Sequence, residues 1–409
     1  MTDSSEAGSG RSLAMVFLAA TACISSMGLG LIAPVMPALL VEIAGGDLAD
    51  ASFWGGVALV SYAVMQFVFS PIFGALSDRF GRRPILLVSL SAYAADMLLL
   101  AFVQTLPWFL LIRALAGIFA STFSTTSAYV ADITPPGQRA SRFAIIGAAF
   151  GVGFVLGPAV GGVLGDIDVR YPFLAGAVLA AANAIFGAFF VGESLVAERR
   201  RAFSWARANT IGTLLRLFRT PGTGALLPVF ALATLSTWVY PTVWSYVAKE
   251  KFLWTEAEIG WSIAYYGVIA FIAQGVVAQF VMPRMNSRTV IWLALLVEMV
   301  ALVGIGLAGV GWFVYLMVTT ALISTMQDPA IRQALSASVP DDAQGELQGG
   351  LSALASVAMI LAPIIYNGTF TLTAGSDALF YLPGSPFIVA AAMSGLAILL
   401  YLRPRPEST

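Results

Sequence analysis

Histidine is absent from this chain, and cysteine occurs once, at Cys23. The first absence excludes histidine acid–base work and histidine-held zinc; the second excludes an intrachain disulfide. Charge is scarce as well. Asp, Glu, Lys and Arg make up 11% of the 409 residues, against roughly 25% in a soluble domain. The polar surface of a water-soluble globule is missing, so the solvent must be lipid. The net charge of −1 carries no signal for nucleic acid, which is not expected as a partner. No G-x-x-x-x-G-K-[ST] loop occurs, which removes ATP hydrolysis within the chain as an energy source. Nor is there a convincing nucleophile–base pair or metal site, so an enzyme is not expected.

What fills the space is apolar: 59% of the residues are hydrophobic and the mean hydropathy is +0.87. Apolar runs fall near 13–39, 51–75, 84–104, 107–131, 141–164 and 171–193, and then near 223–248, 257–282, 289–309, 311–338, 345–369 and 379–402. Each is long enough for the ~20 residues that a helix needs to cross a bilayer. They lack the strict alternation of barrel strands. The expected fold is an all-α membrane protein of twelve transmembrane helices.

The expected order is an N-terminal tail (1–12), a six-helix bundle (13–193), a linker (194–222), a second six-helix bundle (223–402) and a tail (403–409). With both termini cytoplasmic, seventeen of the 21 Lys and Arg lie on the inner side, as the positive-inside rule asks. A shift of 205 residues places Arg79 on Arg284, Arg83 on Arg288 and Pro158 on Pro363, which suits two pseudo-symmetric halves.

The most specific motif is GALSDRFGRRP, from Gly74 to Pro84. Gly74 is expected to let helices approach closely, and Gly81 to permit a tight turn. Asp78 can hold Arg82, and Asp132, in YVADITPPGQR, is a second expected partner. With Arg79 and Arg83 these groups form a candidate conformational latch. In the fifth run, GAAFGVGFVLGPAVGGVLG carries Gly147, Gly151, Gly153, Gly157, Pro158, Gly161 and Gly162, spacings that let backbones pack closely.

The first motif resembles the signature of the major facilitator superfamily, and the second the motif typical of its drug/proton antiporter branch. MGLGLIAPVMPALL, DMLLLAF, IRALAGI and AQGELQGGLSAL extend the likeness, from about residue 13 to 370, to the bacterial tetracycline/proton antiporters. The resemblance implies the major facilitator fold and, for Arg113 of IRALAGI, a role in proton coupling. Two positions depart. Those antiporters usually carry an aspartate where this chain has Ser25, and some carry a histidine where it has Ala270. Both residues are implicated there in handling proton or drug.

An ionisable group near the bilayer centre costs roughly 2.5–3.5 kcal/mol on insertion scales, so each one is a functional candidate. Asp96 lies about 18 Å from the inner face and Arg113 roughly 9 Å from the outer one. At similar depth they can pair or be linked through hydrogen bonds, in a functional or a structural role. Glu298 lies about 13 Å in, with Asp328 at similar depth. Asp328 and Arg332, four apart on one helix face, read either as an internal ion pair or as a gate or proton site. The proton-coupling candidates are therefore Asp96, Arg113, Glu298 and Asp328. Ser25, Gln66, Phe123, Tyr240, Gln274 and Gln348 are the cavity candidates, although Gln66 and Gln274 also suit helix–helix bonding. Trp238, Trp244, Tyr265, Tyr266 and Phe271 are further aromatic walls or members of an interfacial belt.

The expected function is proton-coupled export of a drug-like amphiphilic small molecule, tetracycline-like or otherwise, by alternating access. The alternative is a proton-coupled importer of a small metabolite. The expected partners are the substrate, protons and the lipid of a bacterial inner membrane, with the protein a monomer. No cofactor is expected, and a metal could arrive bound to the substrate.

Overall fold

The structure, a computed structural model, describes residues 2–200, 212, 218, 223–224, 226–281, 284–340, 343–375, 378 and 380–403. Most of the expected linker 194–222, with Arg201, Arg207, Arg216 and Arg219, lies outside them, as does Arg405. Among the described residues every regular element is helical. Hydrocarbon offers the backbone no hydrogen-bond partners, so a spanning segment must satisfy its own, and the helix does so.

Among the described residues, ten helices are long and apolar enough to cross a membrane. They account for spans one to six, eight, nine, eleven and twelve. The first helix begins at Thr2, ahead of the apolar window that opens at Ser12. The second runs over Leu48–Phe80, beyond both edges of the apolar run that predicts it. The remaining two spans are present but interrupted. The seventh consists of Leu227–Thr237 and Val239–Phe252, which meet at Trp238. The tenth consists of Gly311–Thr319, Ala321–Ser324 and Gln327–Ser336. The fourth is also interrupted, between Leu106–Ile118 and Thr122–Ile133. Fourth and tenth are equivalent under the expected duplication, and so are Pro158 and Pro363, each inside an unbroken helix of the fifth and eleventh spans.

The chain clusters into two compact units that exchange short pieces between the halves of the sequence. One holds residues 1–39, 61–209 and 255–264; the other holds 40–60, 210–254 and 265–409. Small residues make both exchanges possible. In the first unit Gly153, Gly157 and Gly161 form one row along the fifth span (Arg139–Ile167). An added Cβ would lie 2.1 Å from the Cys23 carbonyl oxygen, 2.5 Å from that of Met27 and 2.5 Å from that of Leu31. The two backbones touch at matching four-residue steps. Gly162, one position on, faces the opening turn of the eighth span, where its Cβ would meet the Glu256 carbonyl oxygen at 2.4 Å. The Ala257 amide there donates to Asp166 at 3.0 Å.

In the second unit, Asn367 of the eleventh span donates to the Ser52 carbonyl at 3.0 Å and to its hydroxyl at 3.1 Å. Thr371 donates to the Ala49 carbonyl at 3.0 Å. Gly56 lets the Asn367 side chain in, since an added Cβ would stand 2.9 Å from that of Asn367.

Candidate functional site

The loop after the second span is built around Arg82. Its guanidinium pairs with Asp78 at 2.6 Å and with Asp132 at 3.1 Å, the two partners that the sequence predicts, and also donates to the Ser77 hydroxyl at 3.1 Å. Gly81 takes φ 110°, a conformation that favours glycine, and opens the third span (Arg82–Ala101). The first backbone N–H groups of that helix have no partner within it. Glu193 supplies one from 111 residues away, accepting from the Arg82 amide at 2.8 Å and the Arg83 amide at 3.2 Å. Arg83 then donates through its side chain to the carbonyls of Gly187 and Ala188.

Two expectations about this region need correction. Among the described residues nothing lies within 4 Å of where a Cβ on Gly74 would be, so it brings no described helices together, and Gly147 is open in the same way. Both lie on helix faces turned away from a neighbour, and sequence spacing alone does not fix helix rotation. Arg79 is exposed and stacks over Phe80, 5.1 Å from its ring centre.

Inside the first unit the structure joins Asp96 and Arg113. Arg113 donates to Asp96 at 3.2 Å and lies over the Tyr62 ring, 5.1 Å from its centroid. Asp96 is 5% exposed, and its other oxygen, Oδ1, has no hydrogen-bond partner among the described residues. The buried hydroxyl of Tyr93, against Gly28, is unpartnered too. Among the cavity candidates here, Gln66 donates to the Ala120 carbonyl at 3.2 Å, at the interruption of the fourth span. Ser25 is half-buried, whereas its neighbour Ser26 is fully buried and donates to the Phe150 carbonyl at 2.7 Å. Phe123 is exposed and packs edge-on to Phe150.

In the second unit Glu298, 3% exposed, sits on the ninth span (Ser287–Leu307). Its Oε1 has no hydrogen-bond partner among the described residues, and Ser324 of the tenth span is itself buried. No Lys or Arg among the described residues pairs with Glu298. Tyr240 and Tyr266 stack, with ring centres 5.4 Å apart. Three residues beyond Ser324, Gln327 is 5% exposed and donates to Thr237 at 3.1 Å, and its Oε1 is likewise unpartnered. Ser324 and Gln327 were missed in the sequence, where the charge of neighbouring Asp328 draws attention first. Asp328 itself is not brought to Glu298. Its side chain is 54% exposed and holds Arg332 at 2.9 Å, the ion-pair form of the two expectations. Gln274, on the π-helical end of the eighth span (Ala273–Val281), and Gln348 are exposed.

The sequence profile of the Major Facilitator Superfamily matches residues 18–239 and again 226–409. The chain belongs to this superfamily. Within it, the chain is 36% identical to the class C tetracycline resistance protein of Escherichia coli over 391 residues, 93% of this chain and 94% of that one. It is 32% identical to the class H tetracycline resistance protein of Pasteurella multocida, covering 88% of this chain and 90% of the relative. Among solved structures, a D-xylose–proton symporter superimposes with TM-score 0.75 at 16% identity, covering 97% of this chain and 98% of the other. As a major facilitator protein the chain is a multi-pass membrane transporter.

Proposed function

We propose that this transporter exports a drug-like amphiphile in exchange for protons, by alternating access. It works as a monomer in a bacterial inner membrane, with both termini cytoplasmic and no resident cofactor. The observation that carries the reading is the Asp96–Arg113 pair: a carboxylate and a guanidinium buried within the spans, 3.2 Å apart, with one carboxylate oxygen unpartnered. An ion pair in hydrocarbon stays charged through its partner's presence, and a proton delivered to Asp96 releases Arg113. Such an exchange of partners biases one state of the protein over another. The glycine row of the fifth span and the relatives named for tetracycline resistance support export over uptake. A membrane potential is worth roughly 2.3 kcal/mol per charge per 100 mV, so at 100 mV one proton exchanged for an uncharged substrate sustains a gradient of about fifty-fold.

The test is uptake of radiolabelled tetracycline into inverted vesicles carrying the protein, beside a resistance screen over a panel of amphiphilic drugs. Accumulation with the interior acidic, abolished by a proton ionophore, is the expected result. Uptake of none of the panel, or uptake indifferent to the gradient, would remove the proposal. Accumulation in right-side-out vesicles alone would favour the importer.

A further inference from the structure

Two helix contacts of the fold are equivalent under the 205-residue shift that relates the halves, and they differ at one position. In the first unit the fifth span meets the opening turns of the eighth. An added Cβ on Gly260 would run into the Pro158 carbonyl oxygen, and one on Gly162 would lie 3.0 Å from the Cα of Gly260. In the second unit the eleventh span (Gln344–Ala374) meets the opening turns of the second. There Pro363 takes the place of Pro158, its carbonyl oxygen 3.4 Å from where a Cβ on Gly56 would be, and Gly55 takes the place of Gly260. The same shift puts Asn367 on Gly162. The first contact therefore closes glycine on glycine, whereas the second is fastened by a polar side chain.

Asn367 is 1% exposed. Besides its two bonds to Ser52, its amide nitrogen donates to the Thr242 carbonyl of the seventh span at 3.4 Å. Its own oxygen, Oδ1, is buried with no hydrogen-bond partner among the described residues. Tyr246, one turn beyond Thr242, is 3% exposed; its hydroxyl packs against Gly55 and has no partner among them either. One end of the Asn367 amide thus holds the three spans together while two other polar atoms at the same contact go without. Parting the spans would exchange the Asn367–Ser52 bonds for bonds to water, a nearly even trade. It would also hydrate Oδ1 of Asn367 and the Tyr246 hydroxyl, relieving a penalty that the shut form bears. Apolar packing, such as that of Phe370 on the Tyr246 ring with centres 6.3 Å apart, works the other way and keeps the contact shut.

We infer that the seam of spans two, seven and eleven is a sprung seal at the outer mouth of the transporter, with Asn367 as its clasp and Asn367 Oδ1 and the Tyr246 hydroxyl as its spring. Gly162 and Gly260 have no side chains to leave unpartnered, so the equivalent contact of the first unit has no spring of this kind. The inference rests on the proposed function, because cytoplasmic termini put residues 49–56, 242–246 and 367–371 at the outer ends of their spans.

The test reads the seam by chemical labelling. Ala49→Cys in a Cys23→Ser background puts a thiol where the seam buries it, since Ala49 is 5% exposed and its carbonyl accepts from Thr371. Right-side-out vesicles carrying the full-length protein are treated with a membrane-impermeant maleimide, and the labelling rate is followed. Tyr246→Phe removes one unpartnered hydroxyl and keeps the ring, so it should slow labelling by about fivefold or more. Asn367→Asp replaces the donating end of the amide with a second acceptor, so it should speed labelling by about tenfold or more. Side chains that only support the fold would loosen the seam on either replacement. Faster labelling in both variants, a Tyr246→Phe rate at or above the parent's, or labelling from inverted vesicles alone would overturn the inference. Tyr246→Phe decides by itself if Asn367→Asp does not fold. Proton-driven drug export by a parent whose seam ignores both substitutions would leave the proposed function standing while the seal fell; opposite responses of the two variants without proton-driven export would do the reverse.

Discussion

Gly157 lies so close to Met27 that a methyl group added to it would sit 2.5 Å from the Met27 carbonyl oxygen. Backbone blocks that methyl, so no side-chain rotation can relieve it. Gly157→Ala should lower stability by about 1–3 kcal/mol, as overpacking does, and should slow export in proportion. Gly147→Ala belongs to the same motif but meets nothing within 4 Å, and it should change neither quantity. Thermal unfolding in detergent, with vesicle uptake beside it, checks both. Equal behaviour of the two variants would remove the packing explanation.

The Asp96–Arg113 pair should show strong non-additivity. Arg113→Ala leaves a buried carboxylate without its partner, at a cost of about 3–5 kcal/mol. Adding Asp96→Asn should recover much of that stability, because the uncompensated charge is gone. Neither protein should accumulate substrate against a gradient. A double-mutant cycle on unfolding free energies is the measurement, and purely additive values would show the pair to be energetically idle.

At the loop after the second span, Asp78→Asn should impair transport while the protein still inserts, because Arg82 keeps only Asp132 as a charged partner. Gly81→Ala should be the more damaging change for stability. Its φ of 110° is strained for alanine, and the new Cβ would lie 2.2 Å from a Glu193 carboxylate oxygen. Insertion by protease accessibility, followed by uptake, separates the two effects. Full export by the Asp78→Asn protein would count against a latch.

Asp328→Asn gives the contrasting case. With the acid 54% exposed, its pair with Arg332 should contribute no more than about 1 kcal/mol and weaken with salt. Transport should stay within about fivefold of the parent on that small energy. A loss as large as that from Arg113→Ala would assign Asp328 a part in coupling.

Charge and hydropathy made much of this molecule legible in advance. The twelve apolar runs follow from bilayer thickness, and Arg82 finds Asp78 and Asp132 because a charge at a membrane surface needs its opposite nearby. Depth along a helix is also readable, and for that reason Asp96 and Arg113 could be matched. Rotation about a helix is not readable, and Gly74 and Gly147 were misplaced as a result. Glu193 was invisible because its partners are backbone amides 110 and 111 residues away. The local changes of winding at Trp238 and Thr325, whose amides still bond to the preceding turn, escaped notice because hydropathy does not register how a helix is wound. Gln327 was passed over for the same kind of reason, being neutral beside a charged neighbour.

The exchanged pieces bear on how the protein can be divided. Residues 40–60 belong with the later part of the chain, and 255–264 with the earlier part. Scission between the two sequence halves would therefore not give two self-sufficient products. Each fragment would be short of a docking segment and would display bare glycine faces, Gly162 on one and Gly260 on the other. Co-expression should restore a working transporter where separate expression yields proteolysed fragments.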